Sequence, residues 1–178
     1  MPIEPSDIDL VQPEFHAFDM FSKDGGYHTS QIVPLSDVDG LFLPGAIVGS
    51  DASEAYRDQY RKTFIKNLSE QPLYNCKVYG YNTKRNSIVK FAFEKQQNQT
   101  PLIDGSETIK DYPTQPNLFT AYSFTETDSD DAIPIGNGGI LSEGKAQGIW
   151  LRMRCLKNIS DDGLDTFRLG LKYTETNG

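Results

Sequence analysis

Two histidines and two cysteines are the metal-binding and nucleophilic side chains this sequence carries. His16 and His28 stand twelve residues apart with no H-x-H or H-E-x-x-H spacing, and Cys76 and Cys155 fall in strand-like segments. Donors this scattered do not make a zinc set. Each imidazole reads as a surface group, and each thiol as a small buried hydrophobe in its reduced state. With so few cysteines no disulfide framework is implied. The oxygen-rich turns Asp128–Asp131 and Asp161–Asp165 are the candidates for a hard cation. Neither has the mid-loop glycine and terminal glutamate of a calcium-binding EF-hand loop. Both read as solvated acidic loops, and no metal or other cofactor is expected.

Catalytic signatures are equally thin. No G-x-S-x-G elbow occurs, so a serine nucleophile lacks its setting. Gly136–Gly139 (GNGG) is not followed by G-K-[ST] and does not open a helix, which makes it a loop rather than a phosphate cradle. A glycosidase needs two carboxylates facing each other across a cleft, and spacing alone identifies no such pair. The chain is not expected to be an enzyme.

The elements carrying these residues are short and alternate in polarity. In Tyr60–Asn67, Tyr60, Lys62, Phe64 and Lys66 oppose Arg61, Thr63, Ile65 and Asn67, the pattern of a strand with one buried and one wet face. Tyr74–Tyr81 repeats the pattern after the polar connector Leu68–Pro72, and the two together predict a hairpin. Ile88–Glu94, Gln147–Leu156 and Asp165–Tyr173 are further strands, the last two predicting a second hairpin. Shorter strands are expected at Phe15–Phe21, Tyr27–Leu35 and Leu118–Phe124, with apolar fragments in Gly40–Gly49. Only Ser50–Gln59 has any helical character. Residues 96–116 form a long polar loop. Three prolines before Phe15 argue against helix or central strand, so residues 1–14 are expected to be an extended N-terminal arm. The fold class that follows is all-β: an antiparallel β-sandwich, immunoglobulin-like or jelly-roll-like, of about seven to nine strands, with residues 15–178 as its single domain.

Composition sets the outer limits. The 178 residues include ten Phe, nine Tyr and one Trp, enough aromatic surface for an independent core despite a mean hydropathy of −0.51. A net charge of −8 and a pI near 4.7 oppose binding to nucleic acid or to anionic membranes, Lys84-Arg85 and Arg152/Arg154 being the local basic exceptions. No segment is apolar enough to span a bilayer, and the opening MPIEPSDIDL lacks the features of a Sec signal.

Three segments also carry a resemblance. Tyr60–Tyr79 (YRKTFIKNLSEQPLYNCKVY), Gly144–Leu156 (GKAQGIWLRMRCL) and Asp165–Leu171 (DTFRLGL), in this order, resemble a group of tailed-bacteriophage virion structural proteins, small β-sandwiches without known catalysis. Arg61, Lys66-Asn67, Leu73 and Asn75–Val78 match the group's first pair of strands, and Ile149–Arg152 with Phe167 and Leu169 match the second. Cys76 replaces an expected Ala, and Met153 interrupts paired arginines. The resemblance covers about Leu35 to Tyr173. It implies a non-enzymatic component of head, neck, tail or baseplate, assembled in the bacterial cytoplasm and located in the virion. Its partners would be other virion proteins, with homo-oligomeric or lattice association. The residues placed at such contacts are Ile3, Ile8, Leu10 and Val11 on the arm and Leu102, Ile103 and Tyr112 on the long loop. The alternative is a carbohydrate- or receptor-binding sandwich using Tyr79, Tyr81, Tyr112, Tyr122 and Trp150.

Overall fold

The computed structural model describes residues 3–4, 7–15, 25–33, 58–83, 87–96, 100–106, 122–155 and 167–176. They form an all-β sandwich. One sheet has five antiparallel strands: β1 (Ile8–Phe15), β2 (Gly25–Ile32), β3 (Asp58–Asn67), β5 (Ser87–Phe93) and β9 (Ala146–Cys155), in the order β2-β1-β3-β9-β5. The facing sheet has three: β4 (Tyr74–Asn82), β8 (Ile133–Pro134) and β10 (Phe167–Thr174), in the order β10-β4-β8. A small ladder joins β6 (Lys95–Gln96) to β7 (Thr100–Pro101). The turn Gly136–Gly139 is left-handed at Asn137, Gly138 and Gly139, which glycine and asparagine tolerate best.

β3, β4, β5, β9 and β10 lie where alternation puts them, but neither expected hairpin forms. β3 pairs with β1 and β9, and β4 pairs with β10 and β8. The connector Leu68–Pro72 is therefore an arch that carries the chain from one sheet to the other. Asn67 holds it: its side-chain amide donates to the carbonyls of Gln71 (2.8 Å) and Leu141 (2.9 Å), while its Oδ1 accepts from the backbone and hydroxyl of Ser69. Asn82 does the same at the next crossing. Its side chain exchanges two 2.9 Å hydrogen bonds with the backbone of Val89 on β5. Side-chain amides that imitate a peptide unit satisfy backbone groups that a hairpin ladder would otherwise pair. β9 and β10 also lie in different sheets, so the second expected hairpin is a crossing as well.

The core lies between the sheets. Ile65, Phe91, Phe93, Ile149 and Leu151 from the larger sheet meet Leu73, Cys76 and Val78 from the smaller, closed by Ile135 and Leu141. Thr125 exchanges hydrogen bonds with Phe91, and Thr127 with Gly80, so one short segment stitches the large sheet to the small one. The expectation of one wet face on β3 is overturned, since Tyr60 through Ile65 are all buried. On the side away from the core, Phe64 packs with Val11 and Ala146, and Tyr60 with Trp150 beneath Tyr122 and Phe124.

The N-terminal arm is also corrected. Ile8–Val11 pair with Phe64–Asn67, and β1 pairs with β2 on its other edge. β1 is an interior strand. Pro13 is accommodated because the β1–β2 register shifts on both sides of it, and an irregular ladder tolerates a residue without an N–H. Of the expected helix at 50–59, Asp58 and Gln59 instead begin β3, and of the strand expected at 118–124 the described residues 122–124 are not in a strand. The rest of both, the fragments at 40–49 and residues 16–21 lie outside the described residues.

Candidate functional site

The outward face of the five-stranded sheet holds its most unusual chemistry. Lys62 and Glu94 have no exposed side-chain surface, and Lys62 Nζ lies 2.8 Å from Glu94 Oε1. Nζ also donates to the Gly26 carbonyl at 3.0 Å and sits 4.7 Å from the Phe64 ring centroid and 5.6 Å from that of Trp150. Lys62 is on β3 and Glu94 follows β5, so β9 runs between them. The Glu94 side chain crosses β9 at Gly148. A Cβ on Gly148 would stand 2.2 Å from Glu94 Oε2, and one on Gly105 would stand 2.2 Å from Glu94 Cδ. Two glycines thus make the slot that takes the carboxyl group. A buried ion pair is held by geometry against a large desolvation cost, and rings over the ammonium offset part of that cost.

A second polar group borders this one. His28 Nε2 lies 3.3 Å from Asp104 Oδ1, and Lys145 reaches Asp104 Oδ2 at 2.6 Å. The His28 ring meets Phe64 edge-on at 5.7 Å. Burial, together with the positive charge of Lys66, holds the His28 imidazole below its ordinary range, although Asp104 pulls the other way. His28 is therefore not the surface imidazole expected of it. His16 lies outside the described residues. Burial pushes the free Cys76 thiol up to about 11, which removes it as a nucleophile.

Between the sheets, a cleft of about 380 Å³ is lined by Leu10, Leu151, Phe167 and Leu169, with Tyr79, Tyr81 and Arg168 at its border. The two tyrosine rings stack at 6.4 Å and 15°. Tyr79 lies over Gly170, where a Cβ would come within 2.3 Å of the ring. A second cleft of about 410 Å³ lies between Ile3, Glu4 and Asp7 and the arch residues Leu68–Gln71.

The residues expected at partner contacts are mostly spent on the fold. Val11 is fully buried and Ile3 nearly so, while Ile8, Leu10 and Ile103 pack against the core. Leu102 is half-buried, its N–H donating to the Glu94 carbonyl. Tyr112 lies outside the described residues. Of the aromatics suggested for sugar stacking, Trp150 is fully buried and Tyr122 packs against it. Only Tyr79 and Tyr81 border a cleft among those described. The acidic turn is ordered by its own side chain: Asp128 Oδ1 accepts from the backbones of Asp130 and Asp131. Arg152 lies over the Phe124 ring rather than in an open basic patch. Asp161–Asp165, Lys84 and Arg85 are outside the described residues. Sequence reasoning missed Lys62, Glu94 and Asp104. The available signal was a glycine at 148 on the outward face of an otherwise bulky strand.

Comparison with known protein families, with curated proteins and with solved structures finds no match for this chain.

Proposed function

We propose that this protein is a non-enzymatic structural subunit of a tailed-bacteriophage particle, working through contacts with other virion proteins or further copies of itself. The observation that carries the reading is the outer edge of β2. Among the described residues β2 pairs only with β1, and it presents Tyr27 and Ile32 at 57% and 49% exposure. β2 has no Lys, Arg, Asp or Glu, so it lacks the charges that commonly guard an edge. An uncharged edge left unpaired among the described residues suits strand addition, in which a partner's backbone completes the ladder and alternate side chains set specificity. The resemblance at Tyr60–Tyr79, Gly144–Leu156 and Asp165–Leu171 supplies the kind of assembly.

Mass spectrometry of purified virions, combined with light scattering of the isolated protein, tests this. The protein is expected in the particle and in oligomers, and a monomeric protein absent from particles would overturn the reading. The stacked Tyr79–Tyr81 pair beside a cleft favours carbohydrate binding as the second reading. A glycan array that gives a hit lost in Tyr79→Ala and Tyr81→Ala would establish it in place of the first.

A further inference from the structure

We propose that Lys62 and Glu94 join covalently, forming an intramolecular amide that bridges β3 and β5 across β9. The inference stands on the outward-face site alone and is independent of the assembly reading. Three features of that site support it. The reacting groups are already in contact, with Nζ 2.8 Å from Oε1, and neither has exposed surface. Both are held in place: the Gly26 carbonyl accepts a second Nζ proton, and the carboxyl group lies in a slot whose walls are Gly105 and Gly148. Pre-positioning of this kind is worth effective concentrations of about 10⁵–10⁸ M in intramolecular reactions. Finally, the product suits the place better than the reactants. An ammonium and a carboxylate under aromatic rings retain a desolvation penalty, whereas an amide is neutral and the water it releases leaves an apolar pocket.

The step balances without a co-reactant. The Lys62 ammonium passes one proton to Glu94 Oε1, which gives a neutral amine and a carboxylic acid. The Nζ lone pair forms a bond to Cδ, the bond from Cδ to the hydroxyl oxygen breaks, and that hydroxyl leaves as water with a second Nζ proton. The amide nitrogen keeps the third. No electrons are exchanged and no nucleotide or metal is consumed. Phe64 and Trp150, which flank Nζ, keep water from reversing the reaction.

Intact-mass measurement of the full chain under denaturing conditions tests the proposal, on fresh protein and after incubation at neutral pH. Apart from removal of the initiator Met, the mass is expected to fall short of the sequence mass by one water. Trypsin is expected to leave the bond after Lys62 uncut and to yield a branched peptide holding Lys62 and Glu94. Glu94→Ala and Lys62→Arg are expected to have their full sequence masses whether or not they fold. A wild-type chain of full sequence mass, with Lys62 and Glu94 in separate linear peptides at both times, would overturn it.

Discussion

Lys62 stands in a strand whose alternation predicts one wet face, yet its side chain has no exposed surface. Alternation tells two faces apart but does not say whether both are covered, and here Trp150, Phe64 and the Glu94 side chain cover the second face. Core truncations follow from the same burial. Phe64→Ala and Leu151→Ala are each expected to cost about 2–5 kcal/mol, read as a shift in denaturant midpoint with an unchanged slope. Acid acts through His28. Burial and Lys66 depress its folded titration below the 6.5 of a free imidazole, so the unfolded chain binds the proton more readily. The stability tied to neutral His28 is present above 6.5 and is lost as pH falls through the lower folded value. Denaturant midpoints measured across that window should fall with acidification in the wild type and fall less in His28→Gln. Cys76 should resist iodoacetamide in the native protein and react once it is unfolded, as followed on its own peptide, because burial keeps it a thiol.

At the scale of elements, where strands lie was legible and which strands pair was not. Tyr60–Asn67, Tyr74–Tyr81 and Ile88–Phe93 show period-2 patterns because each packs at least one face on the core. A polar connector with a proline, however, is equally at home in a hairpin and in an arch. What decides between them is the side chain of Asn67, which reaches the Leu141 carbonyl, a contact that local sequence does not contain. Asn67→Ala leaves buried backbone groups without partners and is expected to cost roughly 1–3 kcal/mol, with Asn82→Ala losing a comparable amount; thermal denaturation would measure both. The proline-rich start misled for a related reason, since a register irregularity around Pro13 admits a residue that a regular interior ladder rejects. Deleting residues 1–12 removes most of a strand flanked on both edges. Loss of cooperative unfolding is expected, whereas a detachable arm would leave the transition intact.

Across the whole molecule, the candidate surfaces are what remains after the fold has used its own apolar residues. Tyr27→Lys with Ile32→Lys on β2 should leave the melting temperature within a degree or two and abolish any oligomer seen by light scattering, because substitutions at an exposed edge touch little of the core. That edge was not legible beforehand. Tyr27–Leu35 was recognisable as a strand, but its place at the rim depends on the order of five strands distant in sequence.

The arches bear on how the chain reaches its native state. Five of the seven ladders among the described residues join segments far apart in sequence: β1 waits for β3, β3 for β9, and β4 for β10, the last described strand in the chain. Each closure carries a loop-entropy cost before it is rewarded, which places the protein among slow, milliseconds-to-seconds folders. On the ribosome β1, β2 and β3 can pair with one another early, but β5 and the second edge of β3 emerge with β9 still unsynthesised, so the large sheet can close only after β9 has left the exit tunnel. Chains stopped before that point are expected to be protease-sensitive along their whole length, and refolding to show one late, concerted phase rather than a hairpin-first sequence.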